Sequence, residues 1–210
     1  MIIGISGKAG SGKSTMADYL VKNKKFVSIS LADPLKRFCR EVYGFSEATL
    51  WGSSDMRSCP DGRYQRSDGT FLTAREALQR LGSEWGRTCY ENTWVDLCMS
   101  HASRVLGGES YDPVRGFSHT LWELIFREKV VGVVIPDVRF DNEAERIKDG
   151  GGVIVRLSSP WSQASASGIQ GHDSEAGINT GLVDHDLEVT KGLPNFYKQV
   201  DTLLEEISRP

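Results

Sequence analysis

The chain has 210 residues, with 25 Lys and Arg against 28 Asp and Glu and a formal net charge of −3. That length suits one α/β domain with insertions, large enough to bury a sizeable core. No basic tail or stripe offers duplex nucleic acid the phosphate neutralisation that dominates its binding, and no apolar run reaches the length of a membrane span.

Residues 1–6 are the first apolar run and are expected to form a strand buried on both faces. The chain thus opens in a core strand, leaving no room for a signal peptide, and a cytoplasmic setting is expected. Directly after come Gly7-Lys8-Ala9-Gly10-Ser11-Gly12-Lys13-Ser14, a G-x-x-x-x-G-K-S pattern, then Thr15 and a helix over 13–22. This is a phosphate-binding loop in the setting it requires, between a strand and a helix. Its glycines let the backbone close on an anion, so that successive N–H groups point at phosphate oxygens. Lys13 is expected to reach the β- and γ-phosphates of a nucleoside triphosphate, and the Ser14 hydroxyl to ligate Mg²⁺.

Further strands are expected at 26–31, 130–135, 153–157 and 186–189, and helices at 34–43, 73–82, 90–105, 119–128, 140–149 and 195–207. The alternation argues a parallel sheet with helices on both faces. Two stretches break the rhythm: 44–72 is polar and turn-rich, and 158–181 is dominated by Ser, Ala and Gly. Both are too long for plain connections. Each follows the carboxyl end of a strand, where ligands collect in open parallel sheets. The first opens a substrate-binding insertion over about 44–118, and the second is lid-like. No repeat or low-complexity linker divides the chain. Cys39, Cys59, Cys89 and Cys98 show no metal-ligand spacing and are expected to be reduced and mostly buried.

The strand ends carry the remaining chemistry. Asp33 precedes Pro34, so it is either an N-cap or a substrate contact. Asp137 at the next strand tip suits a water-mediated Mg²⁺ contact, and Arg139 suits a phosphate or a transferring phosphoryl group; a surface Asp–Arg pair is the plainer alternative. Arg75 and Gln79 share a helix face at i, i+4 and point to one side of a cleft, with Arg80 and Arg87 nearby. An arginine fork binds phosphate in a bidentate manner, although each of these is equally a solvated helix charge.

Taken in order, the loop, Leu31-Ala32-Asp33-Pro34-Leu35-Lys36, Leu78-Gln79-Arg80-Leu81-Gly82 with Trp94-Val95, Pro136-Asp137-Val138-Arg139 and His172-Asp173-Ser174-Glu175-Ala176-Gly177 resemble the bacteriophage deoxynucleoside monophosphate kinases. These belong to the nucleoside monophosphate kinase-like P-loop group. The resemblance implies a three-layer α/β fold with a five-stranded parallel sheet in the order 2-3-1-4-5. It also implies ATP- and Mg²⁺-dependent phosphorylation of a deoxynucleoside 5′-monophosphate for viral DNA synthesis, and often a homodimer. One departure is the end of strand four, Arg156-Leu157-Ser158-Ser159-Pro160, which lacks a second arginine.

On this reading the acceptor is already a phosphate dianion, so catalysis is positioning and charge neutralisation, without a strong base. Lys13 and the loop would hold the donor. Arg139 with some of Arg63, Arg66, Arg75 and Arg87 would hold the acceptor phosphate. Asp33, Lys36 and Gln79 are candidates for the rest of the acceptor. Trp85 or Trp94 would stack on the base or else belong to the core. His172 and Glu175 would either close over the nucleotides or cap a helix. Kinases of dephospho-coenzyme A or of a hydroxylated base in DNA share much of this pattern. A GTP switch fits less well: Asp149-Gly150-Gly151-Gly152 spells D-x-x-G, but between a helix and a strand.

Overall fold

A computed structural model describes residues 1–117, 129–160 and 177–209. The helix expected at 119–128, and most of the lid-like stretch with His172 and Glu175, lie outside them. The sheet has five strands: β1 (Ile2–Ser6), β2 (Phe26–Ser28), β7 (Gly132–Ile135), β8 (Val153–Ser158) and β9 (His185–Glu188). They are all parallel, in the order β2-β7-β1-β8-β9, which is the 2-3-1-4-5 arrangement expected.

Period-two alternation builds the layers. Ile2, Val133 and Ile154 face one side, with Val95, Cys98, Ala102 and Val105 of α6 (Thr93–Leu106) and Ala144 and Ile147 of α7 (Asp141–Asp149). Ile3, Ile5, Val134 and Val155 face the other, against Met16, Ala17 and Leu20 of α1 (Lys13–Lys24) and Phe196, Val200 and Leu203 of α8 (Leu193–Ile207). Both faces are covered over the central strands β1 and β7, which are buried throughout, whereas the edge strand β9, His185–Glu188, alternates half-buried and exposed.

The insertion is more regular than its polar composition suggests. After α2 (Asp33–Tyr43) come two short helices, α3 (Glu47–Trp51) and α4 (Ser54–Ser58), then an antiparallel pair, β3 (Pro60–Gln65) and β4 (Phe71–Thr73). Ser46 caps α3 and Thr73 caps α5 (Ala74–Gln79), each accepting an N–H three residues on. Cys39, Phe45, Leu50, Ala74 and Ala77 give this region a small core of its own. The expected helix 73–82 stops being α-helical at Gln79. The chain continues as a π-helical segment, Arg80–Arg87, whose Gly86 lies so close to Trp94 that a Cβ would meet its ring at 2.3 Å. A short hairpin, β5 (Tyr111–Asp112) and β6 (Gly116–Phe117), closes the region. All four cysteines are free thiols, but Cys59 and Cys89 are exposed; short polar elements around them offer no core to enter.

Candidate active site

The phosphate loop is formed as its pattern demands. Gly7, Gly10 and Gly12 have φ of +138°, +76° and +97°. Gly7 also runs so close under β8 that a Cβ would lie 2.2 Å from the Leu157 carbonyl oxygen. No side chain caps the start of α1, so the first-turn N–H groups face the loop cavity. The Lys13 ammonium donates to the carbonyls of Gly7 at 2.5 Å and Lys8 at 2.7 Å. The Ser11 hydroxyl is buried within the loop without a hydrogen-bond partner among the described residues, and Ser14 is exposed at the helix start.

The loop opens into a cleft of about 710 Å³ at the carboxyl ends of the strands. Lys13, Ser14, Asp137 and Arg139 line one part of it; Trp51, Ser54, Arg57, Arg75, Gln79 and Trp94 line another. The cleft is cationic, and the charges act on one another. Burial, and then the facing Arg139, push the Lys13 ammonium down from 10.5 to about 8, although Asp137 opposes this. Burial also lowers Arg57, with Arg75 and Arg139 adding to the effect. A row of like charges therefore runs Lys13, Arg139, Arg57, Arg75.

None of those three arginines has a carboxylate partner among the described residues. Arg75 donates to the Ser58 hydroxyl and to Ser54, and Arg57 to the carbonyls of Leu50 and Gly52. Arg139 makes no side-chain hydrogen bond at all among them. Elsewhere arginines are paired: Arg63 with Asp61, Arg66 and Arg80 with Glu76, and Arg156 bidentately with Asp186 at 2.5 and 2.6 Å. Unpaired guanidinium groups in a concave, partly desolvated site are an anion receptor.

The expected residues thus divide. Lys36, Arg75, Gln79, Arg87, Asp137 and Arg139 reach the cleft. Arg63 and Arg66 sit instead on the β3–β4 pair, their charges met by Asp61 and Glu76. Asp33 lines the cleft but is 1 % exposed and is no N-cap, since that position is Ala32. Its carboxylate turns inward to accept from the Ser30 N–H at 3.0 Å, the Trp51 indole at 3.3 Å and the Tyr111 hydroxyl at 3.1 Å. Burial raises its pKa. Asp137 braces the tail of β2, accepting from the Ser30 hydroxyl and from the N–H of Leu31 at 3.0 Å and Ala32 at 3.3 Å. That bracing is why the expected strand 26–31 bends away after Ser28. Trp94 is half-buried, its indole donating to the Gly82 carbonyl at 2.8 Å, while Trp85 is 57 % exposed. Asp149-Gly150-Gly151-Gly152 forms the turn from α7 into the amino end of β8, at the opposite end of the sheet from the loop. Arg57 is the residue missed.

Sheet order, loop and cleft together define a P-loop α/β protein with an anion-binding cleft. No family model matches the chain. It is 29 % identical over 215 residues to a protein of Acanthamoeba polyphaga mimivirus named "Putative deoxynucleotide monophosphate kinase", covering 100 % of this chain and 98 % of that relative. Similar solved structures include TT1252 from Thermus thermophilus, with 18 % identity, a TM-score of 0.47 and coverage of 100 % and 98 %. Another is a dephospho-CoA kinase from Campylobacter jejuni, with 13 % identity, a TM-score of 0.39 and the same coverage.

Proposed function

We propose that the protein transfers the γ-phosphoryl group of ATP to a deoxynucleoside 5′-monophosphate, yielding the diphosphate. The observation that carries this reading is the row of cations from Lys13 through Arg139 to Arg57 and Arg75, which suits two phosphate groups meeting end to end. The loop amides and Lys13 hold the donor. Arg75, preset by Ser54 and Ser58, and Arg57, preset by the Leu50 and Gly52 carbonyls, hold the acceptor phosphate. Arg139, between them, screens the repulsion of the two anions and meets the charge that develops on the transferring group. The acceptor phosphate is its own nucleophile, so no side chain needs to take a proton.

Mg²⁺ fits this site as a companion of the nucleotide. Among the described residues no three His, Cys, Asp or Glu come together to hold a metal. The exposed Ser14 hydroxyl and the Asp137 carboxylate offer oxygen donors beside the phosphate loop, which nucleotide phosphates would complete. Bound there, the cation adds further neutralisation of the phosphates.

The name of the mimivirus relative supports a deoxynucleotide, and a monophosphate, as acceptor. A substrate panel with ATP and Mg²⁺ tests both, scored by diphosphate formation. It should include the four deoxynucleoside monophosphates, their ribose counterparts, dephospho-coenzyme A and a DNA duplex. Turnover confined to dephospho-coenzyme A or DNA would replace this reading.

A further inference from the structure

Arg139 holds its guanidinium in the cleft with no hydrogen bond of its own among the described residues, so its aim must come from its backbone. That backbone is gripped. The Glu143 carboxylate, 5 % exposed, accepts from the N–H of Arg139 at 2.8 Å and of Phe140 at 3.1 Å through one oxygen. Its other oxygen faces Arg87 at 3.8 Å. The Arg87 guanidinium carbon lies 3.7 Å from the centroid of the Phe140 ring, and the same group donates to Asn142 at 3.1 Å and to the Glu91 carbonyl at 3.2 Å. An ordinary helix cap needs the Phe140 N–H bond alone. The bond to Arg139 and the stacked arginine exceed that need, and they leave Arg87 little capacity for a phosphate.

We infer that Arg87 and Glu143 are positioning residues, which clamp the Arg139–Phe140 turn and aim Arg139 at the transferring phosphoryl group. Because Arg87 ends the π-helical segment, the clamp also ties the acceptor wall to the arginine that acts between the two phosphates.

The kinetic arm of the test rests on the proposed phosphoryl transfer; the structural arm does not. Arg87→Lys and Glu143→Ala should each lower kcat on the order of tenfold or more with little change in KM, since small misplacements act on the transition state. In an Arg139→Ala background neither should lower kcat further. Losses that multiply in that background would overturn the clamp. A wild-type chain inactive on the whole panel would sink the phosphoryl-transfer reading, and the clamp would then be judged on geometry. A crystal structure of Glu143→Ala, which removes the accepting oxygen, should show the Arg139–Phe140 turn displaced and the guanidinium withdrawn; an unmoved turn overturns the inference. If that variant fails to fold, the structure of Arg87→Lys decides by the same criterion.

Discussion

Lys13 lies where its charge is disfavoured until an anion arrives. The gap between 10.5 and about 8 corresponds to roughly 3 kcal/mol of differential interaction. A triphosphate in the loop would restore the charged form, so nucleotide affinity is linked to proton uptake. Affinity should be flat below about pH 8 and then weaken by about tenfold per pH unit, up to a few hundred-fold in all. The free protein should behave oppositely. Its lysine binds fewer protons than the unfolded chain between about 8 and 10.5, so this group's contribution to stability rises with pH across that window. Arg139→Gln removes the second cause of the shift and should move the break in affinity to higher pH. Calorimetric titration with a non-hydrolysable ATP analogue, in two buffers of different ionisation enthalpy, reads affinity and proton uptake together. A dissociation constant unchanged from about pH 7 to 9.5, with no proton taken up, would refute the argument.

Arg57→Met should raise KM for the acceptor on the order of tenfold or more while leaving KM for ATP near its original value, measured by initial rates; an effect on ATP alone would assign Arg57 to the donor. Arg139→Lys should fail mainly in kcat, because an ammonium cannot reproduce the fork. Gly7→Ala should abolish nucleotide binding and cost about 1–3 kcal/mol from the strained φ alone, with more from the contact at Leu157, read by thermal unfolding with and without nucleotide. Burial raises the Glu143 carboxyl from 4.5 to about 7, which makes the folded chain the better proton binder over that range. Wild type should therefore lose stability relative to Glu143→Gln as pH rises from about 4.5 to 7, and a parallel pH dependence of the two melting temperatures would contradict this.

The sheet and the phosphate loop were legible because both announce themselves locally. Continuous apolar runs mark strands covered on both faces, and the loop pattern comes with its strand and helix attached. The acceptor wall was far less so. Arg57 sits in a stretch whose serines and glycines look like loop, and its value arises from what it lacks, a carboxylate neighbour, which no spacing reveals. Arg63 and Arg66 look equivalent to it in sequence, yet Asp61, two residues before Arg63 on β3, and Glu76, in the first turn of α5, meet their charges. The N-cap alternative for Asp33 fails for a related reason. Pro34 signals a helix start, but Trp51 and Tyr111, far along the chain, draw the carboxylate inward. The expected helix 73–82 leaves α pitch after Gln79, where the chain runs on in a wider turn from Arg80 to Arg87.

That widened pitch has a consequence for how this chain tolerates changes of length. A helix with i→i+5 bonds turns each residue by less than the roughly 100° of an α-helix, so one residue removed from Arg80–Arg87 with the wide pitch kept would rotate everything after it by roughly a quarter of a turn. Arg87 would swing off Phe140, and the space that Gly86 yields to the Trp94 ring would pass to a bulkier neighbour. Point substitutions along the exposed side of this segment are cheap by comparison. Related chains can therefore drift in composition here far more readily than they can lose or gain a single residue.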